Sequence, residues 1–94
     1  CVLAIVMQRE PAPSLPEWEE IAAVAMSVQN IWLSCTAHDI GAYWATPGFI
    51  SRLGIILELG EGEKCLGLFY MGHLKADAKA PALRGKIEEK VRWM

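Results

Sequence analysis

The residues best suited to chemistry in this chain lie in two short stretches, Tyr43-Trp44-Ala45-Thr46-Pro47 and Arg84-Gly85-Lys86. Thr46 before Pro47 has the order of a helix cap followed by a first helical residue. The free amides and dipole of such a helix start attract anions, although most caps of this kind serve only their own helix. Arg84 and Lys86 are either ligands of an anion or solvated charges of a tail. His38 closes an apolar helix-like segment and His73 closes an apolar strand-like one, with no metal-ligand spacing around either. Structural roles are expected for both. No Ser-His-Asp or Cys-His set is evident.

The elements that must position these groups begin with a long apolar segment, Ile21–Ala37, and the turn that follows it, HDIGAYWATP. Glu17, Glu19 and Glu20 put negative charge at the positive end of a helix dipole. Ser14-Leu15-Pro16-Glu17 has the form of a capping box, and Pro16 stands where a helix start tolerates proline. The spacing predicts a helix over 14–38, on the order of 30 Å long. Ile21, Val24, Val28, Trp32 and Cys35 form a bulky stripe on it, and Ala23, Ser27, Asn30 and Ser34 a small, weakly polar one. A helix apolar almost all round is buried. It is either the central helix of one core or a helix shared between a core and a subunit interface.

Ahead of that helix, VLAIVM is a short β-branched run that fits a strand over 1–8 covered on both faces. Pro11, Pro13 and Pro16 make a stiff link that cannot be helix interior. After the helix, Gly41 is the natural left-handed residue to stop it, and 39–47 reads as a turn. Phe49, Ile50, Leu53, Ile56 and Leu57 recur at helical spacing, which places a second helix in 47–59 that ends at Gly60. Glu61–Lys64 is an exposed turn. CLGLFYMG is a second buried strand, within 64–73. Its Gly67 and Gly72 let a side chain, a backbone or a flat ligand approach, and a neighbouring side chain is the simplest occupant. Residues 75–82 (KADAKAPA) have no hydrophobic period, and 74–94 reads as an arm with an apolar end, Trp93-Met94, that docks on something.

Ninety-four residues suffice for one small domain and not for two. At 53% hydrophobic and 21% charged, the chain is more apolar than so small a sphere can hide. Two strands covered on both faces also need more neighbours than two helices provide. Either a partner covers the excess or part of the fold lies outside these residues. The opening CVLAIVMQ, which enters directly on a core-like strand, favours the second. No signal-peptide pattern is seen, and no run reaches the roughly 18–20 apolar residues of a membrane span. A net charge of −2 gives no electrostatic case for nucleic acid. Cys1, Cys35 and Cys65 are an odd number without CxxC spacing, and read as reduced, buried small hydrophobes of a cytoplasmic protein.

The order of these parts resembles the C-terminal half of the nitroreductase family of FMN-dependent, NAD(P)H-using oxidoreductases. VLAIVM, the proline link into PEWEE, the helix AAVAMSVQNIWLSC with its Gln29-Asn30 pair, the turn from Gly41 to Thr46, the strand LGLFYMG and the tail LRGKIEEKVRWM carry the resemblance over nearly the whole chain. It implies an α+β nitroreductase-like fold, a mixed sheet flanked by helices, of which 1–94 is an incomplete fragment: the C-terminal half of a single domain. It implies FMN at the interface of a homodimer, with a C-terminal arm crossing to the partner subunit, and a hydride passed from NADH or NADPH through FMN to an electron-poor small molecule such as a nitroaromatic or a quinone. Tyr43, Trp44, Ala45 and Thr46 match the segment that contacts FMN in smaller members, and Arg84 and Lys86 match a basic pair that reaches the FMN phosphate in several relatives. A basic residue is common at the position of Ala45, and its absence weakens that phosphate contact here. The 94 residues alone are expected to be inactive. The competing reading is a non-enzymatic α+β protein-interaction domain, which binds a partner and no flavin.

Overall fold

Residues 1–12, 14–75 and 84–94 are described by the computed structural model. Pro13 and almost all of the small polar segment 75–82 lie outside them, so the middle of the proline link and the start of the arm are not described. The order is β1 (Val2–Gln8), α1 (Glu17–Ala37), β2 (Ile40–Ala45), α2 (Ile50–Ile56) and β3 (Glu63–His73), followed by a 3₁₀ turn at Ile87–Glu89. The fold is α+β. The three strands form one sheet in the order β1-β3-β2, and both pairings are antiparallel, so no parallel pair of a mixed sheet is found among the described residues.

β3 is the centre because it is the longest strand and the most apolar at its middle. Leu3 and Phe69 face each other across one side, as do Trp44 and Phe69 across the other. Strand alternation then puts Leu3, Ile5, Ala42, Trp44, Phe69 and Met71 on one face. That face takes α1. The expected bulky stripe of the helix is the one that packs: Val28 and Cys35 are buried against Ile5 and Phe69, with Val24 and Trp32 around them. The Trp32 ring meets Phe69 edge-on, 5.8 Å between centroids at 77°, the geometry that ring quadrupoles favour.

A bulge between Ile5 and Val6 leaves Leu66 without a partner on β1. Gly67 beside it has φ +149°, a conformation that L side chains rarely adopt. A Cβ on Gly67 would overlap the Trp44 indole nitrogen and lie 2.7 Å from the Ala45 carbonyl oxygen. Gly67 therefore accommodates a neighbouring side chain, as expected. Gly72 has open space around its α-carbon.

Several local expectations are corrected. Ser14 does not cap α1: the helix begins at Glu17 behind Pro16, with no side-chain cap. The Glu17 carboxylate has instead been taken by Lys64, whose Nζ donates to it at 2.7 Å. Arg9 lies 2.5 Å from Glu20 and 3.9 Å from Glu17. These cations, on β1's exit and β3's entry, pair with the carboxylates of the acidic first turn, whose amides have no side-chain cap. At the other end, Asp39 (φ 55°) and not Gly41 takes the left-handed conformation, and Gly41 lies inside β2. The segment 39–47 is thus mainly a strand, because Ile40–Ala45 finds β3 to pair with. Thr46 and Pro47 do not open α2. The helix starts at Ile50, after Phe49, and the Pro47 carbonyl accepts from the Ile50 amide at 2.9 Å. α2 is shorter than expected and buries only Leu53, and Glu58 (φ 53°), not Gly60, turns the chain out of it. Glu63 and Lys64 belong to β3, which leaves Glu61 and Gly62 as the turn.

Candidate functional site

β2 decides how the first stretch is presented. As a strand it sends alternate side chains to opposite faces, so Tyr43, Trp44, Ala45 and Thr46 cannot act as one contiguous lip. Tyr43 stands on the face away from α1. It is 55% exposed and stacks on Tyr70, directly opposite in register, with ring centroids 4.8 Å apart and planes 12° apart. Trp44 goes the other way and packs against the core cluster. Its indole N–H is buried without a hydrogen-bond partner, tucked against Gly67. Ala45 is half-buried at the end of the strand, and Thr46 is exposed just beyond it. Beside Pro47, Gly48 has nothing within 4 Å of the place a Cβ would occupy. The chain is therefore open to approach at Gly48.

Arg84 and Lys86 are exposed, and among the described residues neither side chain makes a hydrogen bond or ion pair; the Lys86 carbonyl accepts from the Glu89 amide at 3.3 Å. His38 forms the C-cap of α1, where its amide donates to the Ser34 and Cys35 carbonyls, and His73 ends β3 opposite Ile40. Both side chains are exposed, and His73 is also among the walls of the cavity described below. Cys35 is buried, with its thiol 3.5 Å from the Met71 sulfur. Cys65 is half-buried, and Cys1 is exposed, against the expectation that all three are buried. All are free thiols. Among the described residues no group of three or more His, Cys, Asp or Glu side chains could hold a metal ion, and no helix is long and apolar enough to cross a membrane.

A cavity of about 470 Å³ lies at the opposite end of β2 from Thr46. Cys1, Val2, Gly41, Tyr43, Tyr70 and Gly72 are among its walls. Only Tyr43 belongs to both this cavity and the stretch singled out from sequence. Gly72 is one of the two glycines at which the sequence allows a flat ligand to approach, while Tyr70 is not singled out there, though the period of β3 places it on the face that Tyr43 shares. Leu74 fills the space where a Cβ of Gly41 would lie, so it closes over the start of β2.

The family model for the nitroreductase family matches residues 1–73, well over half of the chain. The chain belongs to the nitroreductase family. Among solved structures it is similar to the nitroreductase-like family protein from Bacillus cereus, with a TM-score of 0.79 and 21% identity. The superposition covers 99% of this chain and 50% of that one, so the chain spans about half the length of that protein. At this identity the likeness shows the fold, which is nitroreductase-like. No curated protein matches the chain.

Proposed function

We propose that this chain is the C-terminal half of an FMN-dependent oxidoreductase domain, which passes a hydride from NADH or NADPH to an electron-poor acceptor such as a nitroaromatic or a quinone. The observation that carries the reading is the family match over residues 1–73. Bound FMN would supply the hydride chemistry, and the protein's part is to bind and orient it. The residues present fit one end of that group. Thr46 is exposed just beyond β2, and Arg84 and Lys86 offer exposed side-chain cations with no partner among the described residues. Trp44, with its indole in the core, acts by holding the end of β2 in place. Contact there falls to the backbone of Ala45 and to Thr46, and Tyr43 on the far face contributes through its stack on Tyr70.

A homodimer is part of the same reading, and the surface supports it. The accessible area is 7826 Å², against about 5,400 Å² for a compact chain of this mass. The radius of gyration is 16.6 Å, against about 12 Å for a closed domain of this length. A surface of this extent is consistent with further polypeptide packing on it. On α1, the small stripe of Ala23, Ser27, Asn30 and Ser34 is exposed throughout, beside Met26 (65% exposed) and Leu33. That stripe permits close approach of a second backbone, which fits the helix shared between core and interface.

The deciding experiment is an absorbance spectrum of the freshly purified protein, together with its intact mass and its mass in solution. A flavin band at roughly 450 nm in a dimer supports the reading. A colourless protein that captures a partner through the same surfaces would instead make it an interaction domain. Within the flavin reading, Thr46→Val removes a hydroxyl from the phosphate and should weaken FMN binding by about 1–3 kcal/mol. Fluorescence titration of the apoprotein measures this, and unchanged affinity would take Thr46 out of the site.

A further inference from the structure

We draw no further inference here: the strongest candidate, the open sheet face around the stacked Tyr43–Tyr70 pair and its cavity of about 470 Å³, is an unpartnered apolar face, and nothing in the structure shows what covers it.

Discussion

On the α1 side of the sheet, Ile5, Phe69, Val28 and Cys35 are sealed from water, and Phe69 has no exposed surface at all. On the other side, Val2 and Tyr43 are each more than half exposed, and Val6 is a third exposed. The residue types on the two sides scarcely differ, since VLAIVM and LGLFYM are apolar at odd and even positions alike. What differs is cover. α1 lies on only one face and the short α2 buries only Leu53, whereas a sheet with two apolar faces needs a layer on each. The comparison therefore separates a finished half of the molecule from an unfinished one. The finished side should govern the stability of these elements, and the unfinished side should govern what they assemble with.

The largest expected effect is on the sealed side. Phe69→Ala empties the centre of the core and should cost about 3–5 kcal/mol, read from urea melts of the purified protein. Gly67→Ala follows closely. It combines a backbone conformation hostile to side chains with a collision against the Trp44 indole and the Ala45 carbonyl. Roughly 2–4 kcal/mol is expected from strain and overpacking together. Trp44 emission should shift as well, because the indole must move. A Gly67→Ala protein with unchanged stability and fluorescence would mean that the bulge is not packed as described.

How far these features were legible follows from the kind of signal behind each. The buried stripe of α1 was readable because Val24, Val28, Trp32 and Cys35 repeat at the helical period, and burial simply completes that pattern. β1 and β3 were readable as continuous apolar runs. β2 was not, because IGAYWA is short, contains a glycine and follows a helix, so local rules favour a turn. Only pairing with β3, a long-range contact, makes it a strand. The capping box failed for a related reason: Lys64, 47 positions along the chain, competes for Glu17 and wins with a charged hydrogen bond. The family was legible from the order of the motifs. The presentation of Tyr43 through Thr46 was not, since a one-residue alternation between faces appears only once the segment is known to be a strand.

A smaller effect tests the open side. As described, Tyr43 has one ring neighbour, and Tyr43→Ala should cost about 0.5–1.5 kcal/mol, the worth of an aromatic pair. If the assembled protein lays further polypeptide over this face, the loss should approach that for Phe69→Ala. The ratio of the two losses, taken from urea melts under the same conditions, measures how much of the second face is covered. A ratio near one would erase the contrast between the faces and move Tyr43 from a surface stack into a core.

The smallest effect lies at the edge shared by both sides, where Arg9 and Lys64 hold the first turn of α1. The Glu17 carboxyl is held below its ordinary value of 4.5, chiefly by the hydrogen bond from Lys64, then by the charge of Lys64, with Arg9 adding to it. A carboxyl lowered on folding contributes stability that is fully present above its ordinary pKa and is lost as pH falls through the lowered value. The group is open to solvent, so screening keeps the contribution small. Glu17→Gln should therefore lower the melting temperature slightly at neutral pH, and the two proteins should converge in acid, where Glu17 itself is protonated. Raising the salt concentration should narrow the neutral-pH gap as well. Calorimetric melts across the acid range check this. A gap that persists unchanged at low pH would assign the role of Glu17 to packing of its methylenes instead of its charge, and would leave Arg9–Glu20 as the ionic tie between α1 and the sheet.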